Sequence, residues 1–177
     1  MSRLQPHDLD DSLRARAAGI RLAVFDVDGT LTDGRLYYAP DGSELKVFHV
    51  HDGLGLKRLM QHGIDVALCS ARRVPAVEAR ARDLGIAHVH QGVGDKRKVI
   101  DALCAEAGVA PSAMLFMGDD LADLPAMAVA GLAVAPANAH PDVLVQAHLV
   151  TRLGGGNGAA REVSDLLLAL RADAAPA

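Results

Sequence analysis

The chain of 177 residues has no tryptophan, only two tyrosines and three phenylalanines, and no excess of basic residues. Its formal net charge is −4 at pH 7. So few aromatic side chains argue against a base-stacking platform, and the negative charge gives no basic surface for nucleic acid. No basic amphipathic segment indicates binding to a membrane surface. We therefore expect neither nucleic acid nor a membrane among the partners of this protein.

Long apolar runs and paired cysteines are also missing. No apolar run approaches the roughly 18 residues that a membrane helix needs. Residues 1–20 contain acidic residues and lack the apolar core of a signal peptide. The two cysteines, Cys69 and Cys104, do not have the CxxC spacing of metal and redox sites. Two buried thiols in a reducing compartment explain them best, and we expect a cytoplasmic protein.

Short apolar segments alternate with helical patterns along most of the chain. Five segments are predicted as strands: residues 21–27, 65–70, 87–91, 113–118 and 131–136. The helical patterns between them end at glycines that suit helix C-caps, namely Gly63, Gly85, Gly108 and Gly131. Strands alternating with helices predict right-handed βαβ units. We therefore expect an α/β fold with a Rossmann-like, doubly wound parallel sheet.

Residues 34–50 interrupt this alternation with two β-rich runs around "APDGS", which predict an inserted β-hairpin. We expect one domain over residues 1–177, with its core at about 20–170. A helix over residues 161–170 is followed by a tail at about 171–177. The gaps between the site motifs are too short for a separate lid domain, so the domain is expected to be capless.

The segment "LAVFDVDGTLTDG" runs an apolar strand into two aspartates, Asp26 and Asp28. If both stayed extended they would share one face, and at 4 Å their repulsion would be on the order of 4 kcal/mol. A cation, a raised pKa or a turn at Gly29 must offset this repulsion. A calcium loop is excluded, because Leu31 and Tyr37 stand where its glycine and glutamate belong.

A carboxylate that attacks phosphorus fits this strand end better. Asp26 is the candidate nucleophile, which forms an aspartyl-phosphate, and Asp28 the acid that protonates the leaving alkoxide and then the base for water. Because the carboxylate and the phosphate are both anions, the reaction needs a cation between them. Asp119 in "GDD" is predicted to complete a Mg²⁺ site with Asp26 and a backbone carbonyl. The predicted metal-binding residues are Asp26, Asp28 and Asp119.

Two further residues at the same sheet edge complete the predicted catalytic set. Ser70 offers a hydroxyl and a backbone N–H at a predicted helix start, which suits a phosphate. Lys96 opens the next helix and supplies a compensating positive charge, with Lys98 as its competitor for this role. In open parallel sheets, such side chains meet where strands end at their carboxyl edges.

Taken in order, "DVDGT", Ser70, Lys96 and "GDDLAD" resemble the four motifs of the haloacid dehalogenase superfamily of phosphatases. "DGRLYYAPDG", "DGLGLK", "QGVGDK" and "GGGNGAARE", among other stretches of about residues 20–170, resemble the family of 3-deoxy-D-manno-octulosonate (Kdo) 8-phosphate phosphatases. The resemblance implies a Mg²⁺-dependent phosphomonoesterase that releases Kdo and phosphate on the route to lipopolysaccharide. It also implies a homotetramer.

The resemblance carries over a set of substrate contacts, which are Asp28, His49, Val50, His51, Asp52, Gly53, Lys57, Arg72, Arg80 and Lys96. The chain departs from the family pattern at Ala71, where the family commonly has glycine, and at His51, where it commonly has arginine. The first departure adds a methyl group near the phosphate, and the second replaces a permanent charge by one that titrates. We expect neighbouring subunits to close the site with the 34–50 hairpin and the "GGGNGAARE" segment.

Several residues keep two interpretations at this point. Asp120 supports the metal or caps a helix, Asp123 orients Lys96 or caps a helix, and Thr30 bonds the nucleophile or its own turn. Arg72 and Arg80 bind substrate or simply solvate a helix face. The histidines at 88 and 90 lack nearby partners for zinc and are interpreted as core or surface residues.

Two rival functions remain open. A phosphatase of nonulosonic acid 9-phosphates keeps the same chemistry, since those sugars also carry a carboxylate beside the ring. A non-enzymatic, phospho-accepting receiver also combines acidic residues, a hydroxyl and a lysine on a doubly wound sheet. In a receiver, however, the acidic pair follows the first strand and the phosphorylated aspartate the third, whereas Asp119 here follows the lysine.

Overall fold

The computed structural model describes residues 4–174 and has a central sheet of six parallel strands. In chain order these are β1 (Leu22–Phe25), β4 (Asp65–Ser70), β5 (His88–Gln91), β6 (Met114–Met117), β7 (Leu132–Ala135) and β8 (Leu149–Val150). Two further strands, β2 (Tyr37–Tyr38) and β3 (Glu44–Leu45), form a separate antiparallel pair. The predicted doubly wound sheet and the inserted hairpin are both confirmed.

Seven α-helices cover the two faces of the sheet within the described residues: α1 (Asp11–Ala18), α2 (Val50–Gln61), α3 (Pro75–Leu84), α4 (Lys96–Ala107), α5 (Leu124–Met127), α6 (Pro141–Gln146) and α7 (Ala159–Ala174). Strand β1 shows how the core divides, because its side chains alternate between the faces. Ala23 and Phe25 pack with α1, α2, α3 and α7, whereas Leu22 and Val24 pack with α4, α5 and α6. The result is a three-layer sandwich with a buried sheet.

Some elements differ from the prediction. The helical pattern before Gly131 splits into a 3₁₀ turn at Leu121–Asp123 and the short α5, in which Pro125 cannot donate a backbone hydrogen bond. Gly131 is not a cap, since α5 ends at Met127 with Ala128 as its C-cap; a Cβ on Gly131 would instead lie 1.9 Å from the carbonyl oxygen of Ser112. Helices α1 and α6 and strand β8 were not predicted, because short elements carry little periodicity.

The last helix is longer than its sequence pattern predicted. Helix α7 begins at Ala159 and extends to Ala174, so it contains residues 171–174 of the predicted tail. Residues 175–177 lie outside the described part of the chain. None of the helices within residues 4–174 is long and apolar enough to cross a membrane.

The sheet order, β5-β4-β1-β6-β7-β8, places the site. After β1 the chain adds β4 and β5 on one side, and it then crosses to add β6 and β7 on the other. Loops leaving β1 and β6 therefore diverge and open a crevice at the carboxyl ends of these two strands. Asp26 directly follows β1, and Asp119 follows β6 after one glycine.

Candidate active site

The loop after β1 separates the two aspartates of the "DVDGT" motif. Asp26 still donates its backbone N–H to Met117 across the sheet at 2.9 Å. The chain then turns, and the amides of Leu31 and Thr32 both donate to the carbonyl of Val27 at 3.0 Å. Because the strand ends at Phe25, the extended geometry that would crowd the carboxylates is not adopted.

Each of these aspartates forms an ion pair with a different lysine. Lys96 Nζ lies 2.5 Å from Asp26 Oδ1, and the ammonium of Lys46 contacts Asp28 Oδ1. Opposite charges at such distances stabilise ionised carboxylates. The repulsion expected from the sequence is therefore relieved twice, by the turn and by two cations. Lys46 carries no role in the prediction from the sequence.

Lys96 stands between two buried carboxylates. Its Nζ is 2.5 Å from Asp26 Oδ1 and 2.5 Å from Asp123 Oδ1, and its side chain is only 5% exposed. Burial opposes the charge of Lys96, but the attraction of both carboxylates outweighs it and raises the pKa of the ammonium. Burial raises the pKa of Asp26 in spite of Lys96. Lys98 instead lies on the surface beside Asp95, so the structure brings Lys96 and not Lys98 to Asp26.

Asp119 faces Asp26 across the crevice. One oxygen each of Asp26, Asp119 and Asp123 lies within 4.8 Å of the others. Burial and the repulsion of Asp123 raise the pKa of Asp119 to about 7, although Thr30 Oγ1 donates to its Oδ1 at 3.1 Å. The hydroxyl of Thr30 therefore bonds the predicted metal ligand Asp119, which neither of the two interpretations had named.

These groups fit a magnesium ion. Buried carboxylates with raised pKa values favour a nearby cation, and hard carboxylate oxygens are the ligands that Mg²⁺ prefers. Of the three carboxylates in this cluster, Asp26 and Asp119 are the two that the sequence had also predicted as metal ligands. The side chain of Asp28 is not in this group, because it turns to Lys46 and Ser70, so only the backbone of Asp28 remains for the predicted ligand role.

Asp123 combines two of the interpretations left open by the sequence. While its Oδ1 pairs with Lys96, its Oδ2 accepts the amides of Asp119 at 2.9 Å and Asp120 at 3.1 Å. It therefore fixes the loop that carries Asp119 and orients the lysine at the same time. The carboxylate of Asp120 accepts the amide of Leu121 at 2.7 Å, which is the capping interpretation.

Ser70 ends β4 and lies beside Asp28. Its hydroxyl donates to Asp28 Oδ2 at 3.4 Å and accepts the amide of Arg72 at 3.2 Å. The expectation that Ser70 opens a helix is wrong: α3 begins only at Pro75, because proline favours the first helical position and holds the preceding Val74 in an extended conformation. The phosphate seat proposed for Ser70 would therefore come from a turn.

A cleft of about 140 Å³ joins these side chains. Its lining includes Asp26, Asp28, Arg72, Lys96, Asp119 and Asp120. Arg72 thus lines the same cleft as Asp26, as the predicted substrate contact requires. Its Nη2 lies 2.5 Å from Glu44 Oε2 on the hairpin, which ties the hairpin to the cleft.

Two predicted substrate contacts have other partners in the structure. Asp52 is 2% exposed and accepts the amides of Gly158 at 3.2 Å and Arg161 at 2.8 Å, so its carboxylate caps the start of α7. Arg80 lies over the ring of Phe48, 5.8 Å from its centroid. The structure does not bring either side chain into the cleft of Asp26.

The remaining predicted contacts lie at the start of α2. His49 is the N-cap, accepting the amide of His51 at 3.2 Å, and Val50, His51 and Lys57 are exposed. Gly53 lies close to α3, since a Cβ there would lie 2.2 Å from Arg80 Nη2. Arg80 also donates to the carbonyl of His49 at 3.4 Å, so α2 and α3 are held together beside the hairpin.

The "GGGNG" segment packs on the nucleophile loop of its own chain. The amide of Gly156 donates to Thr30 at 3.1 Å, and a Cβ on Gly155 would lie 1.8 Å from the carbonyl oxygen of Gly29. Asn138 joins the two loops by accepting the amide of Gly155 at 2.6 Å and donating to Gly29 at 3.4 Å. The segment thus contacts the nucleophile loop of its own chain, and its part in closing a neighbour's site stays a prediction.

Sequence reasoning missed three residues that hold the site, namely Lys46, Glu44 and Asn138, and the bond from Thr30 to Asp119. One signal for the first two was available. Glu44 and Lys46 are two apart in a predicted strand, and such residues share a face. Nothing in the local sequence indicates that this face meets Asp28, because the contact depends on how the hairpin packs against the loop after β1.

A family model described as a haloacid dehalogenase-like hydrolase matches residues 49–131. The 3-deoxy-D-manno-octulosonate 8-phosphate phosphatase KdsC of Yersinia pestis is 48% identical over 158 residues, which cover 89% of this chain and 84% of that protein. A crystal structure of the Yersinia pestis phosphatase superposes with a TM-score of 0.92 at 44% identity, covering 97% of this chain and 94% of the other.

A crystal structure of the phosphatase of the same name from Moraxella catarrhalis superposes with a TM-score of 0.90 at 38% identity, covering 93% of this chain and 95% of the other. That structure contains a magnesium ion, a phosphate ion and a Kdo molecule. The chain therefore belongs to the haloacid dehalogenase superfamily of hydrolases and, within it, to the 3-deoxy-D-manno-octulosonate 8-phosphate phosphatase family.

Proposed function

We propose that this chain is a Mg²⁺-dependent phosphomonoesterase that hydrolyses Kdo 8-phosphate to Kdo and phosphate on the route to lipopolysaccharide. One observation carries the proposal: a buried aspartate, Asp26, lies 2.5 Å from Lys96 at the crevice where β1 and β6 diverge, in a chain of this phosphatase family. A nucleophile at a strand end, with compensating charge beside it, suits attack on an anionic phosphate.

In this reaction Asp26 attacks phosphorus and becomes the aspartyl-phosphate, while Asp28 gives a proton to the departing sugar oxygen. Asp28 then takes a proton from the water that releases phosphate. Asp26, Asp119 and the backbone of Asp28 would hold Mg²⁺, which offsets the negative charge of nucleophile and phosphate when it is bound. Lys96 contributes a further positive charge beside Asp26.

Substrate recognition is proposed for the residues around the cleft. Arg72 lines it and can pair with the phosphate or with the sugar carboxylate, since guanidinium groups bind such anions in a bidentate manner. The segment of residues 49–53 together with Lys57 and Arg80 would contact the sugar from α2 and α3. Asp52 would act there only through the backbone, because its carboxylate caps α7.

Assembly as a homotetramer is proposed from the hairpin. Large apolar side chains in and beside the hairpin are exposed: Leu36, Tyr37, Tyr38, Leu45, Val47 and Val50. Such a group on a small domain marks an interface. A neighbouring subunit that covers them would also limit water access to a cleft for which residues 4–174 provide no lid domain.

A cytoplasmic location is proposed from the two thiols. Cys69 and Cys104 are both buried, one on a central strand and the other on α4. Burial raises the pKa of Cys69 to about 12, so this thiol is inert. Inert buried thiols are typical of proteins that fold in a reducing compartment.

The test compares phosphate release from Kdo 8-phosphate and from N-acylneuraminate 9-phosphate at matched concentrations, with Mg²⁺, with EDTA and with Asp26→Asn. We expect a preference for Kdo 8-phosphate of about 100-fold, equal to about 2.7 kcal/mol in the transition state. A preference for the nine-carbon sugar would keep the mechanism and replace the substrate. Turnover that survives both EDTA and Asp26→Asn would overturn the mechanism, and a stable acyl-phosphate without turnover would point to a receiver.

A further inference from the structure

The inner side of the hairpin carries a buried ammonium group. The side chain of Lys46 is only 3% exposed, and its Nζ lies 2.8 Å from Glu44 Oε1 while it contacts Asp28 Oδ1. Burying a lysine is costly unless its charge is paired. Here burial is outweighed by the hydrogen bonds that Lys46 donates to Asp28 and Glu44, and the pKa of Lys46 lies above its ordinary value.

Glu44 extends this pair into a chain of four charges. Its Oε1 pairs with Lys46, and its Oε2 lies 2.5 Å from Arg72 Nη2. Burial would raise the pKa of Glu44, but the bonds from Lys46 and Arg72 hold it below its ordinary value. The signs alternate along Asp28, Lys46, Glu44 and Arg72. Both carboxylates in this row of four side chains are therefore paired with a positively charged group.

The two hairpin residues reach inward because they are two apart along the same extended segment. Glu44 and Lys46 share one face of it, and the intervening Leu45 is 56% exposed on the other. One segment thus presents a polar face to the cleft and an apolar face outward. This pattern places the charged groups of Glu44 and Lys46 at the site.

Lys46 leaves one oxygen of Asp28 available. It holds Oδ1, whereas the bond from Ser70 Oγ to Oδ2 is long, at 3.4 Å. These are the two side-chain partners that Asp28 has in the part of the chain that the structure describes. Asp28 lines the cleft, and with Oδ1 held by Lys46 its other oxygen can exchange a proton there with a leaving group or with water.

We propose that Lys46 is a positioning residue for Asp28, an inference that rests on the proposed function. In this role Lys46 acts through Asp28 and not on the substrate, by setting the angle at which Oδ2 meets the sugar oxygen and the attacking water. The proton on Oδ2 passes to the sugar oxygen as the phosphorus–oxygen bond breaks, and a proton from the attacking water returns to Oδ2 in the second step. Glu44 keeps Lys46 in place and links the same hairpin to Arg72.

The test uses Lys46→Met, which keeps the length of the side chain and removes its charge, with Lys46→Arg as the conservative variant. Lys98→Met, at an exposed lysine that pairs only with Asp95 in the described structure, controls for loss of a charge. Each variant is assayed with Kdo 8-phosphate and, by rapid mixing, with p-nitrophenyl phosphate. Nitrophenolate leaves without a proton, so its first step does not need Asp28 as an acid.

With Kdo 8-phosphate we expect kcat of Lys46→Met to fall by about 100-fold, with a much smaller change in KM. With p-nitrophenyl phosphate we expect a rapid release of nitrophenolate, about one per active site, followed by slow turnover, because only the second step needs the proton transfer. Lys46→Arg should restore most of the lost kcat. Lys98→Met should behave as the unaltered enzyme.

Three outcomes would overturn the inference: an unchanged kcat in Lys46→Met, an equal loss in both steps, or no recovery in Lys46→Arg. If Lys46→Met does not fold, Glu44→Gln takes its place, because it frees Lys46 without removing it. It is expected to lower kcat in the same pattern by a smaller factor, and an unchanged kcat would count against the proposal. Asp28→Asn separates the two levels: if it retains turnover, the proposed function itself fails.

Discussion

Gly29 lies directly against Asp119, so closely that a Cβ on Gly29 would sit 2.0 Å from Asp119 Oδ2. Two physical reasons therefore explain why this position of the "DVDGT" motif is a glycine. Its φ of +90° is a conformation that side chains disfavour, and its missing side chain leaves room for the carboxylate that faces the candidate nucleophile. The first loop and the fourth motif are fitted to each other through this contact.

Gly29→Ala is expected to abolish metal-dependent activity and to lower the free energy of unfolding. Gly42→Ala is the matched control, because Gly42 has a similar φ of +82° but no heavy atom within 4 Å of the position that a Cβ would take. The control should lose about 1–2 kcal/mol from backbone strain alone. Urea unfolding and phosphate release measure both effects, and equal losses in the two variants would show that the contact with Asp119 has no cost.

Lys96→Met is expected to lower the free energy of unfolding by about 3–5 kcal/mol, because it leaves Asp26 and Asp123 buried beside each other without a cation. Lys98→Met removes an exposed partner of Asp95 and should change it by less than about 1 kcal/mol. Denaturant unfolding in EDTA gives both values. Adding Asp123→Asn to Lys96→Met should recover part of the loss, and a further loss would argue against this explanation.

Arg72→Ala is expected to raise KM for Kdo 8-phosphate by about tenfold or more, since a hydrogen-bonded charge is removed from the cleft. Arg73→Ala is the control, because Arg73 bonds the carbonyl of Gln91 instead of lining the cleft. Steady-state kinetics at saturating Mg²⁺ measures both. If the two variants have the same KM, the substrate does not contact Arg72.

His148 predicts a pH dependence of stability away from the site. Its Nδ1 accepts the amide of Ala133 at 2.9 Å, which only the uncharged ring can do. Burial, with the nearby Arg16, lowers the pKa of His148 from 6.5, so the unfolded chain binds the proton more readily. This contribution is present above pH 6.5 and is lost as the pH falls through the lower pKa of the folded state.

We therefore expect the unfolding free energy to decrease between about pH 7 and pH 5 more steeply in the unaltered protein than in His148→Gln. Glutamine keeps an acceptor for Ala133 and does not titrate. Denaturant unfolding at several pH values compares the slopes, with the differences taken between the two proteins at each pH. Parallel slopes would exclude His148 as a contributor.

The apolar side of the hairpin predicts self-association. Tyr38 is 60% and Leu45 56% exposed, so changing each to aspartate is expected to dissociate the assembly, because a charge cannot be buried unpaired in an interface. Val145→Asp is the control, at a residue that is 85% exposed on α6. Sedimentation velocity gives the mass of each variant. A monomeric unaltered protein with full activity would end the tetramer proposal.

The strands, the hairpin and the edge at which the chemistry gathers could be predicted from the sequence. Each depends on short-range patterns: apolar runs that end in aspartate or serine, glycines at helix ends, and a turn around residues 39–43. The choice of Lys96 over Lys98 could also be predicted, since it follows from the position at which a helix begins. Strand β8, of two residues, and helix α1, of eight, were missed because their sequences show no clear period.

Which side chain meets which was decided only by the tertiary structure. Lys46 meets Asp28, Thr30 meets Asp119, and Asp52 caps a helix that begins more than a hundred residues later. Charged groups in a buried site must find partners of the opposite sign, and the nearest partner is set by how the loops pack, not by distance along the chain. The sequence determined the kind of chemistry at this sheet edge, and the fold decided which residues hold its acids and bases in place.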